Sequence, residues 1–188
     1  MHHQPLLSGL TLPPARSTRV DLPGLRDWPE VSAETVCRHA KQLGAAGEAI
    51  FDSQMLCFGE LCLPVGEFFA FDRLLLREDG PVRVQVKTVI LPSGRGGYVV
   101  EPRKGYRGSP RGMRPYGDDD FDLLAIVILR EGVVVYATGN ARQHHVPVSA
   151  IPRLRRAPRA SFDAALAALQ ARATDRPAPH WLPSPSAT

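Results

Sequence analysis

Apolar residues gather along this chain in short runs whose period changes, and those changes delimit the elements. From Ser32 the pattern predicts one helix to about Phe58. Ser32-Ala33-Glu34-Thr35 reads as its N-cap region, Val36, Leu43, Ala46, Ile50, Met55 and Leu56 recur loosely at helical spacing, and Gly59 supplies the stop. Gly44 and Gly47 are points where its backbone can approach a neighbour. Leu61 to Val65 and Phe68 to Leu76 are apolar runs of strand length. Arg77-Glu78-Asp79-Gly80-Pro81 is turn chemistry and Val82 to Ile90 is a further strand, so a tight antiparallel hairpin closing at Asp79-Gly80 is expected.

Gly97 to Glu101 suggests another strand, and Pro102 to Pro115, rich in Gly, Arg and Pro, reads as a long mobile loop. Phe121 to Leu129 and Val133 to Ala137, parted by Arg130-Glu131-Gly132, read as two buried strands in a hairpin, with His145 to Val148 as a short edge strand. Ser161 to Ala173 is an Ala- and Leu-rich closing helix, capped by Ser161 and with Asp163 in its first turn. The order indicates an α/β domain with a central mixed β-sheet flanked by helices, and no internal repeat is visible. Residues 1–30, with Pro5, Pro13, Pro14, Pro23 and Pro29, read as a loosely ordered arm before a domain at 31–175. Residues 176–188, with Pro177, Pro179, Pro183 and Pro185, read as a Pro-rich disordered tail.

The length of 188 residues and 44% hydrophobic content suit one domain with a real core. No window approaches a membrane span, and Met1 to Leu10 lacks a secretory layout, so a soluble cytoplasmic protein without a membrane partner is expected. Cys37, Cys57 and Cys62 form no CxxC pair and read as apolar filler. A net charge of +4 suits a partner carrying phosphates. Of the 23 basic residues only Lys41, Lys87 and Lys104 are lysines, and GC-rich coding alone can produce that bias, so arginine clusters are discounted. Arg103, Lys104, Arg107, Arg111 and Arg114, interleaved with Tyr106 and Tyr116, would suit a nucleic-acid-binding loop gripping a DNA backbone with occasional base stacking, or simply a solvated loop. Arg153, Arg155, Arg156 and Arg159 read equally as a phosphate-contacting rim and as a charged linker. Asp118, Asp119 and Asp120 read as a solvated turn, Asp122 as support for the fold or the site, and His144-His145 lacks a third ligand.

Cleaving a phosphodiester requires an activated water, a clamp on the phosphate's charge and protonation of the leaving oxygen, and a hard divalent cation held by oxygen ligands can do most of this. In the expected hairpin, Arg83, Gln85 and Lys87 alternate onto one face and Asp72 falls nearly opposite Val86 or Lys87. The Asp72 carboxylate, the Gln85 side-chain oxygen and the Val86 backbone carbonyl could then meet one ion, with Lys87 orienting the attacking water. Glu48, on the preceding helix, could approach from the side and hold a metal-bound water or a second ion, Gly47 leaving room for it. The bland alternative is a cross-strand Asp72–Lys87 pair worth ~0.2–1 kcal/mol. The valines around Lys87 argue against it, since an idle ammonium in a buried strand is costly.

Lys41-Gln42-Leu43-Gly44-Ala45-Ala46-Gly47-Glu48-Ala49, Pro64-Val65-Gly66 with Phe71-Asp72, Val84-Gln85-Val86-Lys87-Thr88 and Phe121-Asp122-Leu123-Leu124-Ala125 together resemble PD-(D/E)XK nucleases. The likeness is to the branch of group I intron homing endonucleases and related bacterial proteins with a Gln-x-Lys motif, and it covers roughly Val36 to Pro147. It implies a restriction-endonuclease-like core, dependence on Mg2+ (or Mn2+) and DNA as partner. It also implies that Glu48, Asp72, Gln85 and Lys87 are the helix acid, the metal-binding Asp, the third ligand and the catalytic Lys. Gln85 stands where many members carry an acid, which removes one negative charge from the site, and Phe71 stands where the nominal Pro would be. The expected function is a metal-dependent DNA endonuclease. Its rivals are a catalytically inactive nuclease-fold module that binds nucleic acid or a protein, and an RNA-directed enzyme. A homodimer would suit double-strand cleavage, because one such site cuts one strand.

Overall fold

The Ser32 hydroxyl accepts the Thr35 N–H at 3.2 Å and starts α1 (Ala33–Arg38) in the computed structural model, which describes residues 24–94, 96–105, 110, 112–139 and 141–175. The single helix expected from Ser32 to about Phe58 is broken at buried His39, whose φ of −108° and ψ of 21° close α1 and open α2 (Ala40–Phe58). His39 gives its N–H to Thr35 and takes that of Leu43, so one residue serves both ends. At the far end Gly59 adopts φ 75°, a left-handed conformation that glycine takes without steric cost. The Gly59 and Glu60 N–H groups then satisfy the Leu56 and Met55 carbonyls.

The strands follow as β1 (Leu61–Pro64), β2 (Arg73–Leu76), β3 (Val82–Val89), β4 (Gly97–Val100), β5 (Arg103–Lys104), β6 (Arg114–Pro115), β7 (Leu123–Ile128), β8 (Val133–Thr138) and β9 (His144–Pro147). The apolar run from Phe68 is not strand until Arg73: a turn with Phe69 N–H on the Gly66 carbonyl leaves Phe68 fully exposed. The Pro102 to Pro115 segment carries the small β5–β6 hairpin at its base. β9 does not extend the main sheet and instead pairs with β4 in a sheet of its own. Before the last helix the arginine-rich stretch forms α3 (Ile151–Arg156), which tolerates Pro152 because the first helical turn has no N–H to lose. The closing helix, α4 (Ala160–Asp175), starts at Ala160, and Ser161 does not cap it, its hydroxyl accepting the Tyr136 N–H at 3.3 Å.

The main sheet has the order β1-β2-β3-β7-β8, with β3 and β7 parallel and the other pairs antiparallel. Every residue of β7 is buried, as expected of a central strand covered on both faces. On one face Leu123, Ala125 and Val127 join Val84 and Val86 under Phe51 and Met55 of α2 and Phe162 and Leu166 of α4. On the other, Leu124, Ile126 and Ile128 meet Val100, Tyr116, Tyr98 and Val146. The β3–β7 register is pinned at its start by Asp122. Its carboxylate takes Nε (2.9 Å), Nη2 (2.7 Å) and the N–H (2.8 Å) of Arg83, and its own N–H goes to the Arg83 carbonyl (2.9 Å). Burial resists ionisation of Asp122, but these bonds outweigh it and hold the carboxyl below its usual range.

Residues 24–30 lie against the domain, where Arg130 donates to the Pro29 carbonyl at 2.6 Å and pairs with Glu30 at 2.8 Å. Among the described residues no helix is long and apolar enough to cross a membrane.

α2 packs tightly on β3 at Gly47, where an added Cβ would lie 2.0 Å from Thr88 Oγ1. At Gly44 an added Cβ meets nothing within 4 Å, although the Gly44 carbonyl accepts the Thr88 hydroxyl at 3.4 Å. Gly47→Ala is therefore expected to lower stability by roughly 1–3 kcal/mol through overpacking. Gly44→Ala is expected to be neutral or to add about 0.5–1 kcal/mol from helix propensity. Chemical denaturation of the two variants checks this, and equal effects would contradict it.

Candidate metal centre

Alternation along the β2–β3 pair divides two neighbouring residues between the faces of the sheet. Arg73 pairs with Val84 and shares its face, toward α2, whereas Asp72 turns to the side that carries Gln85 and Lys87. The register differs from the one expected of a turn closing at Asp79-Gly80, because Leu75 pairs with Val82 and the turn is centred one residue earlier, between Glu78 and Asp79, so Asp72 falls beside Gln85. At Asp72 the two strands part. Its N–H still reaches the Val84 carbonyl at 2.9 Å, but the next donor along β3, the Val86 N–H, is taken by the Asp72 carboxylate at 2.8 Å.

Gln85, 4% exposed, completes this junction. Its amide nitrogen donates to Asp72 Oδ2 and, at 3.1 Å, to the Val86 carbonyl. Both oxygens are hard, and a side-chain amide presents an oxygen in place of its nitrogen by a half-turn. Asp72, the Val86 carbonyl and the rotated Gln85 amide thus make an all-oxygen donor set of the kind Mg2+ or Mn2+ takes, so the residues present fit such an ion. Among the described residues no group of three or more His, Cys, Asp or Glu is placed to hold a metal, so the fit rests on the amide and the carbonyl as well as on one carboxylate.

Glu48 belongs to α2, on the opposite face, and Arg73 takes hold of it there at 3.1 Å. The same buried guanidinium binds Asp52 through Nε (2.7 Å) and Nη2 (2.9 Å) and the Asp72 carbonyl through Nη1 (2.9 Å). Arg73 thereby ties α2 to the backbone of the candidate ligand. Its bond to Asp52 keeps it charged against the cost of burial. Neither Arg73 nor Asp52 stood out in the sequence. An arginine opening an apolar strand, 21 residues after an acid on the preceding helix, was the signal available.

Burial pushes the Asp72 carboxyl above its usual range, and the Glu48 charge adds to this, against the Val86 N–H and Lys87. Burial also pushes the Lys87 ammonium below its usual value, opposed by Asp72 and Glu48. The acid and the base are drawn toward each other, a pattern that sites of proton and charge chemistry share. Lys87 Nζ lies 5.2 Å from the centre of the Tyr116 ring. Tyr116, 8% exposed, is buried beneath the lysine and does not offer its ring for base stacking as expected.

Of the basic loop, Arg103 pairs with Glu101 at 3.3 Å, Lys104 pairs with Asp120, and Arg114 opens β6, while Arg107, Arg111 and Tyr106 lie outside the described residues. In the second arginine cluster, Arg155 binds Glu131 at 2.6 Å and Arg159 joins Glu60, Asp163 and the Phe58 carbonyl, so these two stitch elements together. The acidic turn is held internally, Asp120 accepting the Gly117 N–H at 2.6 Å.

No protein-family profile matches the chain and no curated protein is similar to it. Among solved structures, that of a bacterial homing endonuclease, I-Ssp6803I, is similar at a TM-score of 0.53 and 23% identity, over 71% of this chain and 95% of that one. The likeness is one of fold.

Arg73→Met is expected to cost roughly 1.5–3 kcal/mol, the range for bonds to charged groups, because Asp52, Glu48 and the Asp72 carbonyl lose their shared donor. Urea denaturation measures it, and an unchanged midpoint would show that the guanidinium does not hold α2 to β2.

Proposed function

We propose that this chain is a metal-dependent endonuclease of the PD-(D/E)XK type that hydrolyses phosphodiester bonds in DNA. The observation that carries the reading is the convergence of Asp72, Gln85 and the Val86 carbonyl at the parting of β2 and β3, with Lys87 two residues farther along the same face. The fold it shares with a protein described as a homing endonuclease supports DNA as the substrate. A Mg2+ or Mn2+ ion at this site would supply Lewis-acid stabilisation of the charge on the phosphate and make water more acidic.

The chain's own groups do the rest. Asp72, Gln85 and Val86 supply oxygens, and Asp72 gives up its bond to the Gln85 amide when the amide turns. Lys87 donates from its ammonium to a non-bridging phosphate oxygen and orients the water that attacks phosphorus. As the new bond to phosphorus forms, the water's proton passes to solvent, the bond to the leaving oxygen breaks, and the leaving oxygen takes a proton from solvent. Glu48, steadied by Arg73, adds a negative field from the α2 side and accepts from water at the margin of the site. Arg103, Lys104 and Arg114, with Arg107 and Arg111 in the same segment, contact the phosphate backbone, which makes binding salt-dependent.

With Mn2+ the protein is expected to nick supercoiled plasmid. Asp72→Ala and Lys87→Ala should each lower the rate on the order of 10²–10³-fold, the range for losing one charge-stabilising group. The pH profile at subsaturating Mn2+ follows from the two shifts. A raised Asp72 pKa means that proton competition begins at a pH above that of an ordinary carboxylate, so the rate falls as pH falls through it. A lowered Lys87 pKa brings the alkaline loss in below the ordinary lysine range. If the purified protein cuts no DNA but still binds it, unaffected by Asp72→Ala, the silent binding module is the correct assignment.

A further inference from the structure

Lys87 is not the only ammonium on the Tyr116 ring: Lys104 Nζ lies 5.8 Å from the same centroid. The chain has three lysines, and two of them meet at one buried tyrosine. The ring is firmly placed. It packs edge-on against Phe121, with centroids 5.1 Å apart and planes at 77°, in a cluster with Val100, Leu124 and Ile126. It directly follows β6, whose partner strand β5 carries Lys104, and Lys104 is anchored in turn to Asp120. The sheet and the hairpin thus fix the ring, and the ring faces the lysine assigned to the phosphate.

A lysine stem has several rotatable bonds and a strongly hydrated head, so holding it still in a partly buried position requires an attractive partner. Asp72 is one such partner, but under the reading above its carboxylate is given over to a divalent cation, which itself repels the ammonium. An aromatic face differs in kind. It attracts a cation through its quadrupole, while Mg2+ and Mn2+, which prefer oxygen, leave it free.

We propose that Tyr116 is a positioning residue for Lys87, its ring holding the ammonium against the site while Asp72 is engaged, and that Lys104 shares the ring as a second ammonium at the same edge. The role rests on the assignment of Lys87 to phosphodiester hydrolysis. It depends on the ring and not on the hydroxyl, so Tyr116→Phe preserves it and Tyr116→Leu removes it.

The test has two arms, applied to the full chain and to variants whose cooperative melting shows them folded, with Tyr116→Met standing in if Tyr116→Leu is not. In protein labelled with 13C at the lysine ε carbons, ring currents should shift the Lys87 and Lys104 ε protons upfield of those of Lys41. Tyr116→Phe should keep the shift and Tyr116→Leu should abolish it. In Mn2+-dependent plasmid nicking, Tyr116→Leu should lower kcat about tenfold, equivalent to about 1.4 kcal/mol of cation–ring attraction, with KM nearly unchanged. Tyr116→Phe should stay within about twofold, and Tyr116→Leu combined with Lys87→Ala should be no slower than Lys87→Ala alone, because both changes act through one group. A Lys87 signal unmoved by Tyr116→Leu overturns the proposal. So does equal loss in the Phe and Leu variants, or a further loss on the Lys87→Ala background. Any of these with wild-type nicking intact leaves the nuclease reading standing, whereas a wild type that cuts no DNA overturns both.

Discussion

The bond from the Val86 N–H to the Asp72 carboxylate, 2.8 Å long, lies where the main sheet changes character. Up to Arg73 the second strand pairs with the third through its backbone, and beyond it the chain turns away through the exposed Phe68 and Phe69. A backbone donor left unsatisfied there would be costly, and a side-chain carboxylate satisfies it. The same substitution of side chain for backbone leaves a carboxylate and a peptide carbonyl each within hydrogen-bond reach of one amide side chain, that of Gln85. The junction that ends a ladder is thereby also the candidate centre.

Everything around this junction works to keep it in place. Arg73 binds the Asp72 carbonyl from behind and fastens it to Asp52 and Glu48 on α2, and α2 can come that close because Gly47 offers no Cβ against Thr88. The Arg83–Asp122 clamp sets the parallel register that lays β7 along β3. Among the described residues the centre is electrostatically lean: one carboxylate in direct reach, a neutral amide where a second acid would give stronger attraction, and a partly buried ammonium beside an aromatic ring. Burial raises the carboxyl and lowers the ammonium, and a bound cation would reverse the first of these effects by favouring the ionised carboxylate.

The parts of the fold legible in the sequence were those governed by alternation and by capping. The valines at 84 and 86, set against Gln85 and Lys87, located the central strand and its two faces, and Ser32 and Gly59 marked helix ends correctly. What escaped was decided by tertiary context. The apolar run at Phe68 looks like strand, but the residues before Arg73 turn at Gly66. His39 interrupts a helical pattern with no glycine or proline to announce it. β9 reads as an edge of the main sheet, yet its register with β4 depends on residues some 45 positions away, which no local pattern encodes. Strand alternation put Asp72, Gln85 and Lys87 together and the family resemblance added Glu48, whereas Arg73 had no such signal and Tyr116 read only as a stacking ring of the basic loop. Their importance lies in contacts across elements, not in any period along the chain.

Whether the Asp72–Gln85–Val86 junction receives a divalent cation is decided by anomalous diffraction from crystals soaked in Mn2+. One strong peak is expected, bonded to an Asp72 carboxylate oxygen and the Val86 carbonyl, with the Gln85 amide turned so that its oxygen faces the ion. No peak there at saturating Mn2+, with the Gln85 nitrogen still donating to Asp72 and Val86, would contradict the metal assignment.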